Sequence, residues 1–246
     1  EGMQNVLVVN DIVSVADATT SSCLGADCTT GIWLIMNMIE AKVKGVYVIH
    51  AAEEVGCKGS RALVADDPEW LRHIDAVISF DRFGDKSVIT HQMGLRTASA
   101  EFAGSFADAL YMSQLVADDG GSYTDSNEYA SVVSECTNIS VGYYGQHGVN
   151  ETQDLVYAEF LCDSLVNADW DMLLFRRDPA VVEDTWGDWG VSGSGTDEDN
   201  IEALKTMIQD HPHKVAELLD GWGVKYYALM EEAGIDDSKY YGDYFN

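Results

Sequence analysis

Four short stretches of the sequence place an acidic residue or a histidine where a predicted strand ends, or in the loop that follows it. They are Asp27 in LGADCTTG, Glu53 and Glu54 in HAAEEVG, Asp81 in VISFDRFG, and His147 in GYYGQHGVNE. Because α/β proteins bind ligands outside the carboxyl ends of their strands, these side chains are expected to converge. Converging carboxylates need a cation between them, and oxygen ligands with an imidazole suit zinc, manganese or cobalt. The pattern therefore predicts a metal site.

Each of these residues also has an ordinary structural interpretation. An aspartate before a helix is most often an N-cap, which would account for Asp27. Asp81 precedes an arginine and could form a surface ion pair with it, and His147 could be a polar loop residue. Adjacent glutamates usually lie on a solvated helix face, but Glu53 and Glu54 follow an apolar run. The order of the set is more informative than any one member.

Strands alternating with helices are expected to position these side chains. Two apolar runs within residues 5–17 flank Asn10 and Asp11 and predict a β-hairpin or a pair of short strands. Apolar residues at helical spacing predict a helix over residues 29–43, and the continuous run Val46–Ala52 predicts a buried strand. Helices are also expected near residues 58–65, 68–74, 99–115 and 151–175, and strands in AVISF, SVITHQ and CTNISVGYY.

This order of elements predicts an α/β fold, a three-layer sandwich around a mixed, mostly parallel sheet. The predicted catalytic domain covers residues 1–178. An acidic linker rich in Gly and Ser follows at residues 179–200. Residues 201–246 regain helical spacing and predict a small C-terminal helical appendage.

The charge balance makes some binding partners unexpected, and the cysteines indicate a compartment. With 14 basic and 42 acidic residues in 246, the formal net charge is -28, so neither nucleic acid nor an anionic membrane surface is an expected partner. No apolar run reaches the roughly 18 to 20 residues that span a bilayer, and no signal peptide is visible. Five cysteines without regular spacing favour the cytoplasm or another reducing compartment. The excess of acidic residues is typical of a highly soluble protein or of a protein in a saline environment.

The order of the motifs resembles the co-catalytic zinc aminopeptidase superfamily. GAD precedes a helix, EEVGCKGS follows a strand, an aspartate ends the next strand, and GYYGQH comes further on. The similarity is closest to the single-domain branch, which includes leucyl-type aminopeptidases, glutamate carboxypeptidases and glutaminyl cyclases, and it covers residues 5–178. The distance from Asp81 to His147 is too short for the dimerisation domain that is inserted in the sister branch.

The resemblance implies a role for each motif residue. Asp27 would bridge two metal ions, Glu54 and His147 would complete the first site, and Asp81 would belong to the second. Glu53 would be the general base that takes a proton from the attacking water. These assignments together imply one or two divalent transition-metal ions, zinc in the first place.

Two features depart from the family's pattern. The family supplies a further ligand from an upstream H-x-D motif, but no histidine precedes Asp27 here. Either the first strands of the domain are absent from this sequence, or the second metal is held weakly. Cys28 stands where the family usually has a second aspartate, and the peptide between Asp27 and Cys28 is expected to be cis.

The resemblance implies a metal-dependent exopeptidase of the aminopeptidase type, acting on a peptide or amide bond. One alternative is a structural or binding module of the same fold without catalysis. Another is acyl transfer of the glutaminyl cyclase type, for which one zinc suffices. Tyr143, Tyr144 and Asp125 are weaker candidates for substrate binding, and His50 is expected to be a core histidine. The C-terminal appendage could mediate oligomer formation.

Overall fold

The computed structural model describes residues 5–16, 22–66 and 69–181, with a few helical residues at 204–206, 208–209, 212, 215 and 219. By internal contacts the chain divides into two units, Glu1–Trp186 and Gly187–Asn246, and the fold below belongs to the first. Most of the predicted linker and appendage lies outside the described residues, so both stay predictions. Among the helices that the structure describes, none has the length and apolar character of a membrane span.

Strands and helices alternate in the first unit, which confirms the predicted α/β class. The strands are β1 (Val6–Val9), β2 (Ile12–Val15), β3 (Ala76–Arg82), β4 (Ser87–Ile89), β5 (His91–Gln92), β6 (Leu95–Arg96), β7 (Val116–Asp118), β8 (Glu135–Ser140), β9 (Tyr143–Tyr144) and β10 (Thr152–Asp154). The α-helices are α1 (Ala26–Glu40), α2 (Lys58–Asp66), α3 (Ala100–Ala109), α4 (Asp125–Glu128) and α5 (Leu155–Val166). Short 3-10 turns cover Glu53–Val55, Trp70–His73 and Trp170–Met172.

The strands form two four-stranded sheets and a separate hairpin. The central sheet has the order β3-β8-β4-β7 and is mixed, because β3 runs parallel to β8 and β4 runs parallel to β7, while β4 and β8 are antiparallel. The second sheet has the order β1-β2-β10-β9 and is antiparallel in every pair. Strands β5 and β6 pair with each other.

The hairpin of β1 and β2 confirms the prediction made for residues 5–17. Asn10 and Asp11 form its turn with φ angles of 50° and 63°, the left-handed conformation that a two-residue hairpin turn requires. The backbone N–H of Leu155 donates to the carbonyl oxygen of Asp11 at 2.9 Å, which ties the turn to the start of α5.

Helix α1 packs closely on β3 and contributes to the main core. A Cβ atom at Gly31 would overlap the carbonyl oxygen of Phe80, so that only glycine allows this approach of helix to strand. Elements α1, α3, α5 and β8 supply several fully buried side chains of this core, among them Leu34, Phe102, Phe106, Ile139, Leu161 and Leu165. The sheet is therefore covered by helices where the spacing of apolar residues predicts them.

The strand predicted at Val46–Ala52 is wrong. All seven residues are described, and the structure assigns no strand to them; Val46 is 63% exposed and Ile49 60% exposed. Residues 44–50 and β3 both line a cavity of about 500 Å³. Within the described residues, β3 pairs with β8 alone, and the apolar run at 46–52 pairs with no strand.

Two predicted helices are shorter than their apolar patterns. The helix expected to reach residue 115 ends at Ala109, and Tyr111 has a φ of 56°, which a right-handed helix does not contain. The helix expected over 151–175 begins at Leu155, because residues 152–154 pair as β10 and the Asp154 side chain accepts from Tyr157 N. It ends at Val166, and a single 3-10 turn at Trp170–Met172 follows.

The segment that follows this turn is tied to the sheet through Glu135. This carboxylate is fully buried and accepts hydrogen bonds from Ser99 N at 2.6 Å and Ser99 Oγ at 2.9 Å. It also accepts from the backbone N–H of Arg176 at 2.6 Å and Arg177 at 3.0 Å. The Arg177 guanidinium in turn donates to four carbonyl oxygens, those of Arg96, Ala130, Val133 and Ser134.

Candidate metal centre

Asp27 lies in the first turn of α1, where backbone N–H groups have no partner within the helix. Glu151 satisfies these groups. Its Oε2 accepts from Gly25 N at 2.9 Å, and its Oε1 accepts from Ala26 N at 3.0 Å and Asp27 N at 3.2 Å.

Asp27 and Cys28 have non-helical backbone angles, so the regular part of α1 begins after them. The Asp27 carboxylate contacts His147 and Asp81, and among the described residues no hydrogen bond from a helix N–H group to it is seen, so the capping interpretation is not supported. The peptide between Asp27 and Cys28 is cis, as expected.

A short turn directs Glu53 and Glu54 in different directions. The two residues begin the 3-10 turn Glu53–Val55, which is flanked by Ala52 and Gly56 with φ angles of 62° and 95°. The N–H groups of Gly56 and Cys57 both donate to the carbonyl oxygen of Glu53, at 3.0 and 2.9 Å. Glu53 is partly buried, whereas the side chain of Glu54 is 61% exposed. A turn, and not the end of a strand, therefore separates the two carboxylates.

His147 joins Asp27 and Glu54 from the loop between β9 and β10. Its φ is 60°, and its Nε2 lies 3.1 Å from Asp27 Oδ2 and 3.4 Å from Glu54 Oε1. The ligand atoms of these three residues all lie within 4.8 Å of one another. Three segments far apart in the chain thus place two carboxylates and an imidazole around one point, a donor set that a divalent transition metal accepts.

Asp81 is the second-last residue of β3, and its side chain contacts that of Asp27. Burial, and next its hydrogen bond with the Asp27 carboxyl, raise the pKa of Asp81 well above its usual range. Thr124 Oγ1 donates to Asp81 Oδ2 at 2.8 Å, and the backbone N–H of Asp81 donates to Asn138 Oδ1 at 3.0 Å. The carboxylate that lies within ion-pair distance of the neighbouring arginine is Asp118, at 3.7 Å, so the surface ion pair considered for Asp81 is not formed.

Glu53 has the electrostatic environment of a proton carrier. Burial raises its pKa to about 7, and the charges of Glu54, Asp125 and Asp27 add to the effect in that order. The Cys57 thiol lies 3.8 Å from Glu53 Oε1, and its hydrogen bond lowers the pKa of Glu53 by a smaller amount. A carboxyl group that titrates near neutral pH can both accept and release a proton under ordinary conditions.

A cavity of about 500 Å³ lies next to this cluster. Glu53, Asp81 and Asp125 contribute to its lining, together with apolar side chains that include those of α1, β3 and the segment 44–50. Asp27, Glu54 and His147 are not among the lining residues, but Asp81 contacts Asp27 and Glu53 adjoins Glu54 in the chain, so the cavity and the cluster are neighbours. Reacting groups could therefore lie at the cluster while an apolar group occupies the remaining space.

The structure places the three weaker candidates differently. Tyr143 is only 3% exposed, and its hydroxyl donates to the carbonyl oxygen of Asp81 at 2.9 Å. Tyr144 is 42% exposed. Burial alone would raise the pKa of the Asp125 carboxyl. Its hydrogen bonds with His50 and Ser60 have the larger combined effect, so the pKa of Asp125 is lowered. Substrate binding by these residues stays a prediction.

His50 has partners on both ring nitrogens, as expected, but it is half-buried and lines the cavity, so it is not a core residue. Its Nδ1 lies 3.2 Å from Asp125 Oδ2, and its Nε2 lies 2.6 Å from the hydroxyl of Tyr129. Glu151 is a residue of this region that no sequence pattern predicts. It lies only four residues after His147, but its partners begin at Gly25, 126 residues away.

The sequence matches no protein-family model and no curated protein. One similar solved structure is PhTET1-12s, a dodecamer, with 17% identity, 67% of this chain and 53% of that chain covered, and a TM-score of 0.52. Another is the aminopeptidase APDkam598 from the archaeon Desulfurococcus kamchatkensis, with 15% identity, coverage of 79% and 55%, and a TM-score of 0.47. The first shows a shared fold, and this chain spans about half of its length.

Proposed function

We propose that the chain is a metal-dependent exopeptidase of the aminopeptidase type, related to the co-catalytic zinc aminopeptidases. The observation that carries this proposal is the convergence of Asp27, Glu54 and His147, whose ligand atoms lie within 4.8 Å of one another. The motifs that predict these residues as ligands come from separate parts of the sequence. Their meeting in space is not required by the motifs themselves, so it supports the proposal independently.

The donor set fits a catalytic transition metal. Asp27, Glu54 and His147 would hold one ion with three protein ligands, which is the number expected when one position remains for water. Asp81, in hydrogen-bond contact with Asp27, would help to hold a second ion. A divalent ion, zinc in the first place, would supply acidity to a water molecule and neutralise charge that develops on the substrate's carbonyl oxygen.

Glu53 would carry the proton in this reaction. Its carboxylate takes a proton from the attacking water and then delivers it to the nitrogen of the departing amine. The pKa of about 7 favours both transfers near neutral pH. The turn at Glu53–Val55 separates this group from Glu54, so that one glutamate serves as ligand and the other remains available for the substrate.

Acyl transfer with a single zinc is the second candidate. Within the described residues, one group of three converging metal donors is present, and acyl transfer of the glutaminyl cyclase type needs no more than one ion. That reaction would convert an N-terminal glutamine to pyroglutamate without cleavage of a peptide bond. Mass spectrometry of a glutamine-initiated peptide after incubation distinguishes the two reactions.

The test uses the purified 246-residue chain loaded with zinc or cobalt. We expect release of amino acids from unblocked peptides, and we expect Glu53→Gln to lower turnover by about 10²- to 10⁴-fold with the metal content unchanged. Glu101→Gln, at an exposed position of α3, is the control and should keep wild-type turnover. A chain that binds no metal and cleaves no peptide would contradict the proposal and leave the non-catalytic module.

Self-association is a separate part of the proposal. PhTET1-12s forms a dodecamer, and the C-terminal appendage predicted at residues 201–246 is a candidate surface for assembly of this chain. Light scattering of the full chain, compared with a chain that ends at residue 181, measures it. Loss of assembly in the shorter chain would support the role of the appendage.

A further inference from the structure

Glu151 is a buried carboxylate that connects two ligand-bearing segments. It is 1% exposed and lies four residues after His147, in the same loop. Its two oxygens accept three hydrogen bonds from the consecutive N–H groups of Gly25, Ala26 and Asp27. One side chain therefore sets the position of the Asp27 turn relative to the loop that carries His147.

The partners of Glu151 explain how its charge is tolerated. Hydrogen bonds from backbone N–H groups stabilise an ionised carboxylate, and the amino-terminal end of α1 adds a favourable dipole. The three bonds that the structure shows all come from the main chain. An uncharged side chain of similar shape would not match them, because the amide of a glutamine would direct N–H donors at one of these N–H groups.

A second link, from strand β10 directly after Glu151, supports this connection. Gln153 Oε1 accepts from Thr30 Oγ1 at 2.6 Å, and Gln153 Nε2 donates to the carbonyl oxygen of Val141 at 3.0 Å. Glu151 and Gln153 are two residues apart, the spacing at which extended residues point to the same side. Both therefore reach α1, Glu151 at its first turn and Gln153 one turn further along.

We propose that Glu151 is a positioning residue of the metal centre, which fixes the Asp27 carboxylate at the distance from His147 that one ion requires. This inference rests on the proposed function, because it presupposes that Asp27 and His147 are ligands. The residue itself touches neither the ion nor the substrate. Its contribution is the relative placement of two segments that are more than 100 residues apart in the chain.

The experiment measures binding of cobalt(II) and zinc(II) to the full chain by calorimetry, with the visible absorption of bound cobalt as a second readout. We expect Glu151→Gln to weaken binding by about 10- to 100-fold, the range found for groups that orient metal ligands. The cobalt spectrum should change as well, because the ligands are displaced. Glu151→Asp keeps the charge with a shorter reach and should weaken binding less than Glu151→Gln.

Glu135→Gln is the matched control. Glu135 is also fully buried and accepts four hydrogen bonds, but from Ser99 and the segment at Arg176 and Arg177. The Glu135→Gln variant should have a lower melting temperature than wild type. Its dissociation constants for cobalt(II) and zinc(II) should stay within about twofold of the wild-type values. If Glu151→Gln does not fold, Glu151→Asp is compared with Thr30→Val, which removes the Gln153 link alone.

The outcomes separate this inference from the function on which it rests. The positioning role is supported if wild type binds the metals and Glu151→Gln binds them more weakly. Where only Glu151→Asp folds, weaker binding by that variant supports it. Equal binding by wild type and the Glu151 variants overturns the positioning role and leaves the metal site in place. An equal loss in Glu135→Gln also overturns it, because stability alone would then explain the effect. A wild-type chain that binds neither metal overturns both.

Discussion

Replacing Glu53 with glutamine should stabilise the protein in the presence of a chelator, and increasingly so at higher pH. The pKa of this carboxyl rises from its usual 4.5 to about 7 on folding, so the folded state binds the proton more tightly than the unfolded state. Stability from this group is therefore fully present below about pH 4.5, and it is lost as the pH rises towards 7. Above pH 7 a buried charge remains that the unfolded chain would expose to water.

The size of the effect follows from the difference in pKa. One pKa unit corresponds to about 1.4 kcal/mol, so a rise from 4.5 to about 7 gives at most about 3 kcal/mol. Because Glu53 is only partly buried, solvent screening lowers this to about 1 to 2 kcal/mol. For a chain of this size such a change corresponds to a melting temperature difference of about 3 to 6 °C.

The assay is thermal unfolding of wild type and Glu53→Gln at pH 5 and pH 8, both with a chelator in excess. The advantage of the variant should be small at pH 5 and should grow by about 3 to 6 °C at pH 8. Comparing the two proteins at each pH cancels the titration of other groups to a first approximation, and Glu101→Gln provides the control for a surface charge. A variant whose advantage is the same at both pH values would refute the assignment of an elevated pKa to Glu53.

Two further predictions concern the scaffold. Gly31→Ala should destabilise the chain by about 1 to 3 kcal/mol, because the added Cβ overlaps the Phe80 carbonyl oxygen. Gly104→Ala, in a helix with open space around it, should stabilise it by about 0.5 to 1 kcal/mol; urea unfolding of the pair measures both, and equal effects would contradict the packing argument. Arg177→Ala should cost at least about 2 kcal/mol by leaving four carbonyl oxygens without this donor. Arg177→Lys should recover only part of that in the same assay, since an ammonium does not reproduce the planar fork, and full recovery would show that charge alone is sufficient.

Local patterns predicted the elements that depend on local chemistry. The hairpin at residues 5–17 follows from two apolar runs around Asn10 and Asp11, whose conformation is a property of the turn itself. Helix α1 follows from apolar spacing; its bounds begin at Ala26, but Asp27 and Cys28 are non-helical, so its regular part begins at the predicted residue 29. The strand predicted at Val46–Ala52 is wrong because an apolar run does not by itself supply partners: Val46 and Ile49 are largely exposed, and a strand also needs a neighbouring strand at hydrogen-bonding distance.

The candidate site was predictable as a set of residues and not as a geometry. The motifs identified Asp27, Glu54 and His147, and the structure brings their ligand atoms together; their roles as ligands stay a proposal. Glu151 could not be found in the same way, because its importance comes from N–H groups on a distant turn. A buried acid and a surface acid look the same in a sequence until the fold supplies the partners.

The turn that carries Glu53 and Glu54 has a consequence for how this region can vary. In a β-ladder, a slip of one residue turns every side chain to the opposite face, and it would exchange the places of the two glutamates. Here Ala52 and Gly56, both in the left-handed conformation, flank the pair. The N–H groups of Gly56 and Cys57 donate to the Glu53 carbonyl oxygen and close the turn. The orientation of the pair is thus independent of any strand register of residues 46–49, which precede the fixed contacts of His50 and Ala51. Insertions or deletions in that stretch should be tolerated among homologues, while changes of length between Ala52 and Cys57 should not.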